Sequence, residues 1–237
     1  MERLKSGAEK LGIHLDDLKL RQFQEYMDLL LEWNEKMNLT AITEKDEIIS
    51  KHFLDSITLL CSEKVNGGMS LVDIGAGAGF PSMPVKIARP DLKITMLDSL
   101  NKRIDFLNEV VSSLGLNEIQ AIHSRAEDGA RTVLRESFDI ATARAVADLA
   151  VLAEYALPFV KVGGYFIAMK GTAPEEEINS AKPAIKAMGG RIEEVKEVFI
   201  EDGQLNHTLV IIKKLEKTPS KYPRKAGKPA KDPIKQG

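Results

Sequence analysis

Cysteine, aromatic residues and long apolar runs are all scarce in this chain of 237 residues. Cys61 is the single cysteine, so neither an internal disulfide nor a cysteine metal cluster is expected. The histidines show no metal-ligand spacing, and no apolar stretch approaches the roughly 20 residues of a membrane-spanning helix. Residues 1–10 are charged and lack the apolar region of a secretory signal. These absences predict a cytoplasmic protein without a membrane span or a metal site.

Charge is unevenly distributed, although the net charge is only −2. Residues 213–237 carry a balance of +7, which leaves −9 for the rest of the chain. A cationic end on an acidic body favours contact with a polyanion, and a solvated, solubilising tail is the alternative. Interleaved prolines and glycines predict an extended segment rather than a helix. Residues 215–237 are therefore interpreted as a basic C-terminal tail.

The rest of the chain divides into two parts. Residues 1–68 have apolar residues at helical spacing and no strand pattern, which predicts a helical cap with helices near 23–33 and 45–60. Residues 69–214 alternate strands with helices, as in a parallel sheet. The last two strands would form an antiparallel hairpin through residues 201–204. The predicted strands are 70–74, 93–97, 119–123, 138–143, 165–169, 191–200 and 205–213.

The sharpest motif is the glycine turn Gly75-Ala76-Gly77-Ala78-Gly79, which follows the first predicted strand. Glycines at alternate positions allow a tight turn and a close approach of ligand to backbone. The G-x-G-x-G spacing differs from the G-x-G-x-x-G of dinucleotide sites. The preceding Asp73 is unfavourable beside a phosphate but suits a ligand with an ammonium group and a sulfonium. The motif therefore favours S-adenosylmethionine, and Gly75, Gly77 and Gly79 are candidate cofactor contacts.

Two further residues end predicted strands at the same edge of the sheet. Asp98 ends the second strand, where a carboxylate accepts hydrogen bonds from both ribose hydroxyls; a helix-capping aspartate is the alternative. Arg144 ends the apolar fourth strand, where an arginine is costly without a partner. Contact of Arg144 with cofactor or RNA is favoured over a structural salt bridge.

A set of motifs in order resembles one known family, the bacterial 16S ribosomal RNA guanine-N7 methyltransferases, also called glucose-inhibited division protein B. The resemblance extends from about residue 20 into the tail. Ser82 and Met83 stand where the family usually has Gly-Ile. The matching motifs are Asn34-x-x-Met37-Asn38-Leu39-Thr40-x-Ile42-Thr43, Lys51-His52-Phe53-Leu54-Asp55-Ser56, Asp73-Ile74-Gly75-x-Gly77-x-Gly79-Phe80-Pro81, Asp98-Ser99-x-x-Lys102-Arg103, Ala143-Arg144-Ala145 and Tyr222-Pro223-Arg224-Lys225-x-Gly227-x-Pro229.

The resemblance implies a Rossmann-like class I α/β fold with a seven-stranded, mostly parallel sheet, a terminal hairpin and an N-terminal helical cap. It implies methyl transfer from S-adenosylmethionine to N7 of one guanosine in 16S rRNA or a small ribosomal subunit particle. Gly75, Phe80, Ala126, Glu127 and Arg144 would contact the cofactor. No general base is expected, because guanine N7 already presents a lone pair. A monomer is expected.

Three other functions remain open from the sequence alone, and one of them, a small-molecule methyltransferase, is disfavoured by the basic tail. A nicotinamide-dependent oxidoreductase could use the same fold, since Asp98 does not distinguish one adenosine ligand from another. A non-catalytic RNA-binding or ribosome assembly protein could retain the cofactor fold. The glycine spacing and Asp73 disfavour the oxidoreductase, and the intact glycine turn with Asp98 disfavours the non-catalytic protein.

Overall fold

The computed structural model describes residues 1–144, 147–171, 175–200 and 205–234. Seven strands form one sheet in the order β3-β2-β1-β4-β5-β7-β6. The first five are parallel, whereas β7 is antiparallel to both β5 and β6, which confirms the predicted fold class. The strands are β1 (Ser70–Ile74), β2 (Lys93–Asp98), β3 (Ile119–His123), β4 (Phe138–Arg144), β5 (Val160–Lys170), β6 (Gly190–Ile200) and β7 (Leu205–Lys214).

Ten α-helices are assigned in the described residues, and they cover both faces of the sheet. None of these helices is both long and apolar enough to cross a membrane. They are α1 (Glu2–Lys10), α2 (Asp17–Met37), α3 (Lys45–Ile48), α4 (Asp55–Ile57), α5 (Ser82–Ala88), α6 (Asn101–Ser113), α7 (Ala126–Gly129), α8 (Leu149–Ala156), α9 (Glu175–Ala187) and α10 (Lys228–Lys231).

Most sequence-based boundaries are close to those observed. The fifth strand is longer than predicted. It begins at Val160 and includes Gly163 and Gly164, which precede the predicted strand 165–169. Helix α9 continues past Pro183 to Ala187, so this proline does not end the helix. The predicted hairpin turn at 201–204 lies outside the described residues.

The predicted second helix of the cap is helical but irregular. A π-helical turn, Ile49–Leu54, separates α3 from α4, and a 3-10 turn, Thr58–Cys61, follows. A π turn has one residue more than the corresponding α-helical turn and is found frequently at functional sites. The π turn places His52 close to Arg144 at the end of β4.

The helical cap and one face of the sheet share a single apolar core. Phe23 and Tyr26 of α2 pack on Phe53, with ring centroids 5.0 and 5.5 Å apart. The Tyr26 hydroxyl also donates a hydrogen bond to the carbonyl oxygen of Ala78 in the glycine turn. The opposite face of the sheet forms a second core with α8 and α9. The cap therefore fixes the glycine turn from behind.

Replacing Tyr26 with phenylalanine is expected to lower the free energy of unfolding by about 1–2 kcal/mol, because the Ala78 carbonyl would lose its buried partner. Chemical denaturation would measure the change. Tyr165→Phe is the matched control: its hydroxyl meets Glu193 at 3.4 Å in an exposed position, so we expect almost no loss. Equal losses in the two variants would contradict the role assigned to Tyr26.

The basic tail differs from its prediction as an extended segment. Residues 218–231, here called the C-terminal clasp, fold back onto α7 and α8 and include the short helix α10. Arg224 pairs with the buried Glu154 of α8, and Pro229 is itself buried. Composition alone predicted an extended segment because these partners lie far away in the sequence.

Candidate active site

A cavity of about 670 Å³ opens at the carboxyl edge of β1, β2, β3 and β4. This is where open parallel sheets bind ligands, and the volume suits a small organic molecule. Seven of the eight predicted cofactor contacts line it: Gly75, Gly77, Phe80, Asp98, Ala126, Glu127 and Arg144. No group of three His, Cys, Asp or Glu side chains among the described residues is arranged to hold a metal ion.

The glycine turn forms the floor of the cavity. Gly75 and Gly77 have φ values of 73° and 60°, which L side chains rarely adopt. A Cβ at Gly77 would meet no atom closer than the Gly75 carbonyl oxygen at 3.9 Å, so this position faces open space. A ligand can therefore approach the backbone here.

Gly79 lies behind the cavity wall instead of lining it. A Cβ there would stand 2.6 Å from Met83 Cγ and 2.9 Å from the Tyr26 hydroxyl oxygen. The third glycine is needed because helices α5 and α2 pack closely against the turn. The observed position gives it a packing role, in place of the predicted cofactor contact.

Asp98 combines the two roles considered from the sequence. Its Oδ2 accepts a hydrogen bond from the Gly77 N–H and its Oδ1 accepts one from the Leu100 N–H, both at 2.9 Å. Arg103 Nη1 lies 3.3 Å from Oδ2. Because each carboxylate oxygen has two acceptor sites, Asp98 can hold the turn and still accept a hydrogen bond from a ligand.

Asp73 lies beneath the glycine turn at the start of α5. It is fully buried, and its Oδ2 accepts a hydrogen bond from the Ser82 hydroxyl at 2.6 Å. Its Oδ1 has no hydrogen-bond partner among the described residues. Burial raises the pKa of Asp73 to about 7, although the hydroxyl and backbone amide of Ser82 oppose the shift. The positive end of α5 therefore already faces a carboxyl group.

Replacing Asp73 with asparagine is expected to change how stability depends on pH. Folded Asp73 has a pKa of about 7 against 3.8 as the reference, so the unfolded chain loses this proton first. Wild-type stability should then fall, relative to D73N, by up to about 1.4 kcal/mol per pH unit between these values. Urea denaturation from pH 4.5 to 7.5 measures the slope.

Asp91→Asn is the control for this comparison. Asp91 pairs with Arg89, which lowers its pKa, so its contribution is lost only as the pH falls below 3.8. Between pH 4.5 and 7.5 the Asp91 variant should keep the wild-type slope. Parallel curves for wild type and D73N would refute the buried-proton account of Asp73.

Arg144 ends β4 and is held at the cavity by the cap. Its Nη1 donates to the Lys51 carbonyl oxygen at 3.1 Å and forms a short ion pair with Asp55. Its Nη2 lies 3.3 Å from His52 Nδ1, and its Cζ lies 5.0 Å from the centre of the Phe80 ring. The guanidinium is thereby fixed, with three of its five N–H groups in these contacts.

Asp55 and His52 complete this arrangement, and we call Arg144, Asp55, His52 and His207 the arginine cluster. Burial alone would raise the pKa of Asp55, but the contacts with His207 and Arg144 hold it below its usual value. His207 Nδ1 lies 2.8 Å from Asp55 Oδ1. Burial, reinforced by the charge of Arg144, lowers the pKa of His52 to about 4, so its ring is neutral at neutral pH.

The neutral ring of His52 has a defined hydrogen-bond pattern. Its Nδ1 faces the Arg144 donor, so Nε2 carries the proton and donates to the Thr40 hydroxyl at 2.8 Å. The ring also stacks on Phe80, with centroids 4.3 Å apart. Thr40 and Leu39 line the same end of the cavity. Residues of the cap therefore build the site together with the sheet.

The opposite end of the cavity lies at the turn between β3 and α7. Ser124, Arg125, Ala126 and Glu127 line it, joined by Tyr155 of α8. Burial and the neighbouring Glu127 raise the pKa of Tyr155 to about 12. Gly227 and Ala230 of the clasp also border this end.

Several of these residues were not predicted as site residues. Asp55, His52 and Thr40 belong to motifs noted in the sequence, yet nothing local gave them a role, since Arg144 follows 89 residues after Asp55. Tyr155 lies in a predicted helix and His207 in a predicted strand, and neither belongs to a motif that indicates a functional role. The motif Tyr222-Pro223-Arg224-Lys225 was the only sign that the clasp has a specific structure.

The comparisons with known proteins identify the family. Residues 19–207 match the family model GidB, described as rRNA small subunit methyltransferase G. "Ribosomal RNA small subunit methyltransferase G" of Alkaliphilus metalliredigens is 52% identical over 233 residues, which cover 98% of each chain. The protein of the same name from Clostridium perfringens strain 13 is also 52% identical, with equal coverage.

Solved structures show the same fold at lower identity. A SAM-dependent methyltransferase from Aquifex aeolicus superposes with a TM-score of 0.53 at 19% identity, covering 74% of this chain and 96% of that one. The likeness in sequence extends over nearly the full length of the curated relatives and includes the glycine turn, the helical cap and β4. This chain belongs to the rRNA small subunit methyltransferase G family.

Proposed function

We propose that this methyltransferase transfers a methyl group from S-adenosylmethionine to N7 of one guanosine in 16S ribosomal RNA. The observation that carries the proposal is the cavity itself, which joins a glycine turn and Asp98 to an arginine fixed at the end of β4. The cofactor contacts would be Gly75, Gly77, Phe80, Asp98, Ala126, Glu127 and Arg144.

The residues present fit S-adenosylmethionine. The open space above Gly77 lets a ligand lie against the backbone, and Asp98 has acceptor capacity left for ribose hydroxyls. A nearby cation favours the ionised form of a carboxyl group whose pKa is about 7, so Asp73 beneath the turn suits an ammonium group and a sulfonium better than a phosphate. When bound, the cofactor would supply an electrophilic methyl group.

Transfer to guanine N7 requires little acid–base chemistry. N7 has an available lone pair and no proton to lose, so proximity and in-line orientation can supply several kcal/mol of the catalysis. The arginine cluster suits this task. His52 is neutral with both ring nitrogens already in contact with Arg144 and Thr40, so it orients its neighbours and does not need to take a proton.

The charge of Arg144 matters because the methyl donor is a cation. An unpaired arginine would repel the sulfonium, but the Asp55 carboxylate at Nη1 balances the guanidinium charge. The remaining N–H groups can then position a reactant without a large net repulsion. The lysine-rich surface of the clasp would meet the phosphates of the RNA.

The target guanosine must be accessible from outside a regular helix. A-form RNA hides N7 in a deep, narrow groove, so an unstacked or loop guanosine is needed. Naked 16S rRNA and a small ribosomal subunit particle could each present one. We further propose that the protein acts as a monomer in the cytoplasm.

The alternatives from the sequence are disfavoured on separate grounds. A dinucleotide site presents a helix N-terminus to pyrophosphate, whereas here the Asp73 carboxyl group faces the start of α5. A non-catalytic assembly protein would have no need of the fixed Arg144, and the matching relatives are named methyltransferases.

The test uses small ribosomal subunits and naked 16S rRNA from cells that lack this protein. Incubation with the purified chain and S-adenosylmethionine carrying a labelled methyl group should label one guanosine, and mapping should place the methyl at N7. The D73N and wild-type chains are assayed at the same pH, so that their methylation rates can be compared directly. No label in either substrate, or label on another atom, would overturn the proposal.

A further inference from the structure

The clasp is fixed to the body by two buried carboxylates. Glu154 is 1% exposed and accepts hydrogen bonds from the backbone N–H, Nε and Nη2 of Arg224, at 2.7 to 3.0 Å. Glu127 is 5% exposed, and its Oε1 accepts the Gly227 N–H at 2.9 Å. Buried carboxylates with several donors hold their partners in one position, because an unpaired charge there would be costly.

Arginines of the body fix the earlier part of the clasp. Arg135 donates to the carbonyl oxygens of Thr218 and Tyr222 at 2.7 and 3.0 Å. Arg131 donates to the carbonyl oxygen of Pro223. The backbone of the segment is thus bound in a specific path, which a merely solvated tail does not require.

This path brings the clasp to the cavity. Gly227 and Ala230 line its β3–α7 end beside Tyr155 and Glu127. Glu127 therefore has two neighbours: the cavity on one side and the Gly227 amide on the other. Gly227 has a φ of 79°, which turns the chain at this point.

We propose that the clasp is one wall of the cofactor-binding site. Arg224, through Glu154, and Gly227, through Glu127, are positioning residues that hold the clasp where it closes the β3–α7 end over the adenosine. The inference rests on the proposed use of S-adenosylmethionine. It adds a role in cofactor retention to a segment whose composition indicated only contact with a polyanion. Cofactor and clasp should consequently stabilise each other.

The test compares two double variants of the full chain. E154Q/R224Q removes the buried ion pair without leaving a charge unpaired, and R89Q/D91N removes an exposed bidentate pair away from the cavity. Calorimetry with S-adenosylhomocysteine should give about tenfold weaker binding for E154Q/R224Q. Binding by R89Q/D91N should stay within about twofold of wild type.

Each result separates this proposal from the proposed function. Wild-type affinity in E154Q/R224Q would overturn the role of the clasp and leave the methyltransferase proposal intact. No binding by the unaltered chain would overturn the use of S-adenosylmethionine, and the clasp proposal with it.

A second measurement needs no variant and decides the matter if E154Q/R224Q fails to unfold cooperatively. Hydrogen exchange of peptides covering residues 221–231 is followed in the unaltered chain with and without S-adenosylhomocysteine. Slower exchange with the ligand supports the proposal, because mutual stabilisation is required. Equal exchange, at a concentration where calorimetry shows saturation, overturns it.

Discussion

Replacing Arg144 with lysine is expected to lower the rate of RNA methylation about a hundredfold, the loss typical of a displaced electrostatic contact in an active site. Lysine keeps the positive charge that Asp55 requires, so the fold should survive. A lysine ammonium cannot reproduce the planar fork that meets Lys51, Asp55 and His52 together. Steady-state kinetics with labelled cofactor measures the loss.

Arg103→Lys is the matched control for Arg144→Lys. Arg103 also lines the cavity and meets a carboxylate, Asp98, but its side chain is 37% exposed against 15% for Arg144. We expect a loss of less than about fivefold, since exposed ion pairs contribute little. Calorimetry with S-adenosylhomocysteine then divides the Arg144 effect between cofactor binding and transfer. Losses of equal size at Arg103 and Arg144 would contradict the arginine cluster.

Replacing Gly77 with alanine is expected to weaken binding of S-adenosylhomocysteine by more than about tenfold. The new methyl group would occupy the open space at the cavity floor, where the ligand approaches the backbone. The φ of 60° also costs about 1–2 kcal/mol of stability for any residue with a Cβ. Calorimetry measures the affinity, and denaturation measures the stability.

Gly115→Ala separates these two effects. Gly115 follows α6 with the same φ of 60°, and a Cβ there would meet nothing within 4 Å, whereas at Gly77 the nearest atom is 3.9 Å away. It does not border the cavity, so the variant should lose the same stability and keep wild-type affinity. Equal affinity in both variants would show that Gly77 does not face the cofactor.

The sequence predicted the sheet and the glycine turn because their signals are local. Apolar strands, alternate glycines and the terminal hairpin each occupy a few adjacent residues. Asp98 and Arg144 could be placed at one edge because parallel strands end together. The distinction between Gly77, which faces the cavity, and Gly79, which faces Tyr26 and Met83, needed the packing of the helices.

The arginine cluster and the clasp could not be predicted because their contacts are distant in sequence. His207 and Arg144 both reach Asp55 from strands that follow it by many residues. Glu127 and Glu154 meet the clasp across 100 and 70 residues. Lysines, prolines and glycines predict an extended basic tail, and only the buried carboxylates that bind it show that it folds back onto the body.

The π-helical turn Ile49–Leu54 makes the length of the cap part of the site. A regular α-helix formed by the same residues would rotate everything downstream by about 100°, because the π turn takes up one extra residue. Asp55 would then face away from Arg144, although all four residues of the arginine cluster were still present in the sequence. A relative with a one-residue gap at this position should therefore be expected to have a regular α-helix there and to keep its aspartate facing the strand-end arginine.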